Sequence, residues 1–240
     1  MNITGKLMRA YFNYAYNPVY DFTTGQLNHY RRLQERCVDK LELEDKERVL
    51  CIGVGTGNEI PHILHRNRNV SIIGVDYSRT ALQRAYRKAL ALGKKIELLI
   101  MDARHLEFED GSFDKVLCIH VMDFVQENEK VTGEILRVLK PGGQFVITYP
   151  SAKEGPRLGV NLLKGGIHHS VNSRKEHIRS ILRLLAQMLA GFVYLPLLFR
   201  PKRKSYSRSG LEAMLPQSTT GDCQVEEDSV YQDFIVYGEK

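Results

Sequence analysis

The feature that most constrains this chain is a short apolar strand that leads directly into a glycine-rich turn. The stretch is Val49-Leu50-Cys51-Ile52-Gly53-Val54-Gly55-Thr56-Gly57-Asn58-Glu59-Ile60, and it predicts a buried strand, a sharp turn and the start of a helix. Glycines at 53, 55 and 57 remove Cβ atoms where the backbone turns, so that it can pass very close to a ligand. Asp76 ends the next apolar segment, 19 residues after Gly57, where a βαβ nucleotide site places its ribose-binding carboxylate. The pattern predicts a site for a nucleotide-like ligand.

Strands and helices are predicted to alternate on both sides of this turn. The predicted strands are 48–53, 70–75, 95–101, 113–120 and 144–149, and the predicted helices are 58–66, 80–92 and 127–139, the last ending at Lys140-Pro141-Gly142-Gly143. Residues 1–45 have helical spacing with a break near Asn17-Pro18, and a short helix at 208–215 precedes two strands, 223–227 and 230–237. This alternation predicts an α/β fold whose parallel sheet is covered on both faces and closed by a hairpin.

The glycine spacing narrows the class of ligand. A dinucleotide site favours Gly-x-Gly-x-x-Gly, but here the third glycine comes one residue early, at 57, and Asn58 follows it. A P-loop needs Gly-Lys-Ser/Thr after its glycines, which is absent. The turn also contains no Lys or Arg, which suits a ligand with no phosphate to neutralise.

Five segments together produce a family resemblance that covers residues 47–149. They are 49–60, Ile72-Ile73-Gly74-Val75-Asp76-Tyr77-Ser78, Met101-Asp102-Ala103, Phe113-Asp114-Lys115-Val116-Leu117 and Arg137-Val138-Leu139-Lys140-Pro141-Gly142-Gly143. In this order and spacing the chain resembles the class I S-adenosylmethionine-dependent methyltransferases. The resemblance is strongest to the group (methyltransferase type 11) that includes ubiquinone/menaquinone C-methyltransferases and some small phospholipid N-methyltransferases.

The resemblance implies S-adenosylmethionine as cofactor and assigns cofactor contacts residue by residue. The residues are Gly53, Val54, Gly55, Gly57, Asp76, Tyr77, Asp102, Ala103, His120 and Tyr20. Asp76 is expected to accept hydrogen bonds from both ribose hydroxyls, Tyr77 to pack against the adenine, and Asp102 to hold the adenine's amino edge. Cys51 departs from the family, which often has Glu or Asp there to place the cofactor's amino group. We therefore expect that contact to be left to backbone or water.

Methyl transfer from a sulfonium needs mainly positioning and desolvation from the protein, with a base only when the acceptor must lose a proton early. The candidates for a base are His120, Asp123 and Tyr149, because open α/β sheets bind ligands at the carboxyl ends of their strands. For His120 a shaping role without proton transfer is an equal alternative. No metal site is predicted, since the histidines at 168, 169 and 177 have no acid or cysteine at matching spacing.

The segment before the final helix is predicted to select the substrate. Residues 151–210 contain twelve Lys or Arg and two Glu, although the net charge of the whole chain is only +6. Within it, Leu184–Phe199 is an uncharged run of 16 residues between basic clusters. The run is shorter than the ~20 residues that span a bilayer. Such a segment can lie in a membrane interface, with the basic residues of 179–208 on an anionic surface, or can pack as a lid beside a solvated basic loop.

We expect one methyltransferase domain over 1–240, with a helical cap (1–45), a cofactor-binding core (46–150), a helical insertion (151–207) and a final helix and hairpin (208–240). Its sheet is expected to be doubly wound, seven-stranded and mostly parallel. Four scattered cysteines without CxxC spacing read as buried thiols of a cytoplasmic protein, and the N-terminus lacks the apolar core of a secretory signal.

The predicted activity is methylation of a lipophilic or amphiphilic small molecule, quinone- or lipid-like, at the inner face of a membrane. Methylation of a soluble metabolite under a closed lid is one alternative, and a non-catalytic S-adenosylmethionine-binding regulator is another. A role in RNA binding ranks low, because the basic residues lack interleaved aromatic residues apart from Tyr206. The acceptor atom does not follow from the fold.

Overall fold

A computed structural model of the chain describes residues 10–11, 14, 16–17, 21, 28–151, 204–214, 223–228 and 233–240. Four sequence-based expectations lie outside these residues: Tyr20 as a cofactor contact, the course of the insertion from 152 to 203, its apolar run Leu184–Phe199, and the three loop histidines.

The described elements follow the predicted alternation. The helices are α1 (Asn28–Asp39), α2 (Ile60–Arg66), α3 (Arg79–Ala91), α4 (Asn128–Val138) and α5 (Arg208–Met214). The strands are β1 (Arg48–Ile52), β2 (Ser71–Asp76), β3 (Glu97–Ile100), β4 (Phe113–Cys118), β5 (Leu139–Tyr149), β6 (Gln224–Glu227) and β7 (Phe234–Glu239). They form one seven-stranded sheet in the order β3-β2-β1-β4-β5-β7-β6. The first five strands are parallel, whereas β7 is antiparallel to both β5 and β6. The predicted fold class and the C-terminal hairpin are confirmed.

The sheet buries a separate apolar layer on each face. Successive residues of a strand point to opposite faces, and β1 shows this most simply. Val49 and Cys51 pack with α1, α2 and α3, whereas Leu50 and Ile52 pack with α4 and α5. Helices on both faces of a mostly parallel sheet make the fold doubly wound.

Strand register brings the functional segments to one edge of the sheet. Ile52, the last residue of β1, lies opposite Val75 on one side and Cys118 on the other. The next residues along the three strands are the glycine turn, Asp76 and the loop that contains His120. These segments therefore emerge side by side at the carboxyl edge, where open α/β sheets bind ligands.

Strand β5 is longer than predicted. Helix α4 ends at Val138, close to the expected stop, but Lys140–Gly143 belongs to the strand instead of a turn before it. The segment accommodates a shift in register between Phe113–Leu139 and Lys115–Gln144. The end of the chain holds it in the sheet, because Gly142 N donates to Lys240 O (2.8 Å) and Lys240 N donates to Gly143 O (2.9 Å).

A cluster of charges joins α1 to the C-terminal hairpin. Arg36 donates to Asp228 (2.7 Å) and to Glu226 (3.2 Å). Lys40 donates to Glu226 (2.5 Å) and to the Tyr237 hydroxyl (3.0 Å). Because these contacts join residues about 190 positions apart in sequence, they fix the described part of the N-terminal cap to the last strands of the sheet.

We expect the Arg36→Gln substitution to lower the free energy of unfolding by about 1–2 kcal/mol, since the largely buried Asp228 carboxylate loses a charge-assisted hydrogen bond. Arg31→Gln is the matched control on the same helix, because Arg31 pairs with Glu35 in an exposed contact. Its effect should stay within about 0.5 kcal/mol. Urea denaturation measures both changes, and equal losses in the two variants would contradict the structural role of the cluster.

Candidate active site

The glycine turn after β1 uses its three glycines for two different purposes. All three have positive φ, at 63° for Gly53, 51° for Gly55 and 74° for Gly57, a region that L side chains rarely adopt. A Cβ at Gly53 would lie 2.2 Å from the Val121 side chain, and one at Gly57 would lie 2.6 Å from Ile60. At Gly55 the nearest atom would be a backbone oxygen of the turn, 3.8 Å away. Gly53 and Gly57 are therefore required by packing, whereas Gly55 leaves an open stretch of backbone.

Asp76 at the end of β2 holds this turn in place through hydrogen bonds. Its carboxylate accepts hydrogen bonds from the backbone N–H of Gly55 (2.9 Å) and of Ser78 (2.7 Å). Burial raises the pKa of Asp76, and the backbone hydrogen bonds oppose that shift. Each carboxylate oxygen can accept more than one hydrogen bond. Tyr77, the next residue, keeps 36% of its surface exposed. The end of β2 therefore offers an acceptor-only group beside a partly exposed aromatic ring. Val54, also predicted as a cofactor contact, has a buried side chain, and its N–H donates to Val75 O (3.0 Å).

Asp102 and Ala103 follow β3 on the outer side of Asp76. The Met101 N–H donates to Asp76 O (3.3 Å), which places the following turn against the end of β2. Asp102 is half-exposed and accepts from the Arg104 guanidinium (2.6 Å). That side-chain hydrogen bond lowers the pKa of Asp102. The predicted residues 53–57, 76–77 and 102–103 are thus brought to one edge.

His120 lies after β4 in a left-handed backbone conformation, with φ 56°. Its N–H donates to the Thr148 hydroxyl (2.7 Å). Its Nδ1 lies 3.3 Å from Asp123 Oδ2 and 3.1 Å from Asp233 Oδ2, and its ring stacks on Tyr30 with centroids 5.3 Å apart. The imidazole is therefore held between two carboxylates and against one aromatic ring.

The electrostatics of this group decide its charge. Burial alone would lower the pKa of His120, but the hydrogen bonds and charges of Asp123 and Asp233 outweigh it and raise the pKa to about 10. His120 is therefore an imidazolium at neutral pH and cannot itself accept a proton there. The carboxylates of Asp123 and Asp233 are the groups beside it that can accept one. One ring nitrogen of His120 and one carboxylate oxygen each of Asp123 and Asp233 lie within 4.8 Å of one another. This spacing would also permit the three residues to bind a metal ion.

Tyr149, the third predicted base, lies inside the core. Its side chain is buried, its hydroxyl is 2.6 Å from the Thr132 hydroxyl on α4, and its ring packs edge-on against Tyr206. Burial raises the pKa of the Tyr149 hydroxyl, which disfavours its ionised form. These contacts favour Asp123 over Tyr149 as a proton acceptor, and a catalytic role for Tyr149 stays a prediction.

Three acidic residues of this edge were not among the predicted site residues. Asp233 lies directly before β7, Glu59 is buried in the turn itself, and Asp21 accepts a hydrogen bond from the Thr56 hydroxyl (2.5 Å). Asp233 is 110 positions from Asp123 in sequence, so no local pattern links the two. The Asn17 amide donates to the Ser78 hydroxyl (2.9 Å) at the start of α3. Asp21 and Asn17 therefore place two residues of the N-terminal segment against the glycine turn and the start of α3, respectively.

The geometry of this edge defines the kind of ligand that it can bind. The open backbone at Gly55 can be approached closely, Asp76 can accept from neighbouring hydroxyls, and Tyr77 can stack on a planar base. The turn has no cation for a phosphate. A nucleoside joined to a phosphate-free group fits these features, as in S-adenosylmethionine. The fold and the edge together define the class of S-adenosylmethionine-binding α/β proteins.

Comparison with known proteins agrees with this class. Residues 50–147 match the methyltransferase domain family. A phosphatidylethanolamine N-methyltransferase from Cereibacter sphaeroides is 36% identical over 155 residues, which cover 63% of this chain and 72% of that protein. A demethylmenaquinone methyltransferase from Thermus thermophilus is 34% identical over 125 residues, covering 52% of this chain and 57% of that protein. The chain belongs to the class I S-adenosylmethionine-dependent methyltransferase family, and S-adenosylmethionine is its cofactor.

Solved structures share the fold of this chain. A Methanococcus maripaludis protein designated an S-adenosylmethionine-dependent methyltransferase matches with a TM-score of 0.64 at 16% identity, covering 95% of this chain and 94% of that one. An N-methyltransferase from Haemonchus contortus, bound to phosphomonomethylethanolamine and S-adenosylhomocysteine, matches with a TM-score of 0.58 at 20% identity. The match covers 88% of this chain and 42% of that one.

Replacing Tyr149 by Phe separates a structural from a catalytic role. We expect Tyr149→Phe to lower the free energy of unfolding by about 1 kcal/mol, because the Thr132 hydroxyl loses a buried hydrogen-bond partner. Thr132→Val should cost a similar amount, and the double variant should cost less than the sum of the two. Urea denaturation measures these energies. Methyl transfer by Tyr149→Phe should keep its wild-type kcat, and a hundredfold loss at unchanged stability would make Tyr149 the base.

Proposed function

We propose that the chain transfers the methyl group of S-adenosylmethionine to the amine of an amphiphilic, lipid-like small molecule. The observation that carries this proposal is the pair of carboxylates around His120, at the carboxyl edge beside the glycine turn. The similarity to a protein named phosphatidylethanolamine N-methyltransferase supports the same class of acceptor.

The charge of the His120 group favours an amine. Two carboxyl groups, Asp123 and Asp233, surround the single His120 imidazolium at 3.3 Å and 3.1 Å, so acidic groups outnumber the cation there. A negative centre attracts an ammonium and gives a neutral quinone ring no such advantage. Phe124, next to Asp123, keeps 45% of its surface exposed. An apolar surface beside a negative centre suits an acceptor with an amine head and an apolar body.

We further propose roles for the cofactor contacts at this edge. Asp76 accepts from the ribose hydroxyls, Tyr77 packs on the adenine, and Asp102 with the Ala103 backbone meets the amino edge of the base. The open backbone at Gly55 lets the cofactor approach the turn. These roles are supported by the exposure and hydrogen-bonding capacity of the residues.

The proposed mechanism depends mainly on position. The bound cofactor supplies a methyl group that its sulfonium has already activated. Asp123 accepts the proton that an ammonium acceptor must lose before its nitrogen can attack. His120 holds Asp123 and Asp233 in place and keeps its own proton. The Thr148 hydroxyl fixes the His120 backbone, so that the charged group keeps its place relative to the turn.

A quinone acceptor is the second candidate. Demethylmenaquinone methyltransferase is the name of a relative 34% identical to this chain, and such an acceptor is also lipophilic. The chain spans about 60% or less of the quinone methyltransferases that it matches. Among the described helices none is long and apolar enough to cross a membrane. We propose that access to a lipid acceptor involves the basic segment 179–208 on an anionic surface, with a soluble acceptor under a lid as the alternative.

Methyltransferase assays on vesicles of phosphatidylethanolamine and an anionic lipid test the proposed identity of the acceptor. We expect methylated headgroups to form with S-adenosylmethionine, and Asp123→Asn to lower kcat/KM for the lipid by about 100-fold, because the amine loses its proton acceptor. The affinity of the variant for S-adenosylmethionine, measured by calorimetry, should stay within about threefold of wild type, since Asp123 receives a proton and binds no cofactor.

Asp110→Asn is the control for this experiment, because Asp110 is exposed and pairs with Arg137 away from the glycine turn. Its turnover should equal that of wild type. Faster methylation of demethylmenaquinone than of the lipid amine would favour the quinone acceptor. Faster methylation of free ethanolamine would favour the soluble one. Retained turnover in Asp123→Asn would contradict the proposed base.

A further inference from the structure

The turn contains a buried carboxylate that the mechanism above does not use. Glu59 directly precedes α2 and is only 8% exposed. Its backbone carbonyl accepts from the N–H groups of His62 and Ile63, both at 3.0 Å, but its side chain makes no capping hydrogen bond to the helix. The carboxylate does accept from the backbone N–H of Glu59 itself, so its described hydrogen bond is local and caps no later residue of α2.

The surrounding charges do not neutralise Glu59. Among the described residues no Lys, Arg or His lies within 4.0 Å of its carboxylate. Lys88 of α3 acts on it from a greater distance, while the Lys88 ammonium contacts the Asn58 side chain and lies 3.5 Å from Asp21. Asp76 of β2 adds a like charge, and Cys51 of β1 adds a buried neutral thiol.

The other carboxylates that contact the glycine turn are held by groups of the protein. Asp76 accepts from two backbone amides and Asp21 from the Thr56 hydroxyl. Asp102, on the outer side of Asp76, is held by Arg104, and Asp123 and Asp233 flank His120, where the acceptor amine is proposed to bind. Glu59 is thus the buried carboxylate of the glycine turn that no described cation within 4.0 Å neutralises.

S-adenosylmethionine carries such a cation. Its methionyl part ends in an α-ammonium, which needs a hydrogen-bond acceptor when it leaves water. We propose that the Glu59 carboxylate receives the α-ammonium of the cofactor and gives up its own proton to solvent as the cofactor binds. This proposal rests on the cofactor class and is independent of which acceptor is methylated.

The protonation of Glu59 sets the pH dependence. Burial raises the pKa of Glu59 to about 7 in the free protein. The hydrogen bond from its own backbone N–H and the charge of Lys88 oppose the shift, and Asp76 adds to it. A bound ammonium favours the ionised carboxylate, so the complex holds fewer protons than the free protein below pH 7. Affinity therefore falls as pH decreases below about 7. It also falls above about pH 8, where an α-amine loses its proton.

Titration calorimetry at pH 6.5, in two buffers of different ionisation enthalpy, tests the proposal. Wild type should release a large fraction of one proton on binding S-adenosylmethionine, because the raised pKa of Glu59 keeps much of it protonated at that pH. Glu59→Gln should release close to none and should bind S-adenosylmethionine and S-adenosylhomocysteine about 10- to 100-fold more weakly at pH 7.5. Both ligands carry the ammonium.

Methylthioadenosine separates an ammonium contact from general damage to the turn, because it keeps the nucleoside and lacks the methionyl ammonium. Its affinity should be the same in wild type and in Glu59→Gln. Glu47→Gln is the control variant, since Glu47 is a partly buried carboxylate that lies 3.4 Å from Lys115 at the opposite end of β1. It should keep the wild-type affinity and proton release.

Two results would overturn the proposal: unchanged S-adenosylmethionine affinity in Glu59→Gln, or an equal loss of affinity for methylthioadenosine. A loss of all three ligands together with a lowered melting temperature would assign Glu59 to the stability of the turn. Absence of binding by wild type would instead contradict the cofactor assignment itself.

Discussion

The hydrogen bond from the Gly55 amide to the Asp76 carboxylate is the contact on which the rest of the site depends. It joins the turn after β1 to the end of β2 at 2.9 Å, with the positive φ angles of the three glycines already setting the path of the chain. Because Asp76 also holds the Ser78 amide, one carboxylate positions the end of one strand, the start of α3 and the open backbone at Gly55. The cofactor edge is built from these contacts.

Much of the fold follows from local sequence patterns. Apolar runs of five or six residues alternate with helical spacing, and glycines at 53, 55 and 57 define the turn, so the order of elements and the doubly wound sheet could be predicted. The course of β5 could not. Lys140–Gly143 has the composition of a helix stop, and its place in the sheet depends on hydrogen bonds to Lys240, a residue 97 positions after Gly143. Local propensity contains no information about such a partner.

The candidate site likewise contains residues that local sequence patterns predict and residues that they miss. Asp76 and His120 lie at strand ends, where the alternation already places ligand-binding residues, and the structure brings both to the carboxyl edge. Asp233 and Glu59 were missed because their significance depends on three-dimensional surroundings: Asp233 meets His120 across the sheet, and Glu59 is notable only for its burial without a nearby cation. Tyr149 is the opposite case, in which a local pattern suggested a site residue. Its position at a strand end predicted a base, but its hydroxyl contacts Thr132 inside the core.

We propose that the edge formed by the glycine turn and Asp76 holds S-adenosylmethionine. A crystal structure of the protein with S-adenosylhomocysteine is the decisive experiment. We expect both ribose hydroxyls within about 3 Å of the Asp76 carboxylate, the adenine against the Tyr77 ring and the homocysteine part beside Gly55. Ligand bound elsewhere, or at this edge with its ribose away from Asp76, would show that this edge is not the cofactor site.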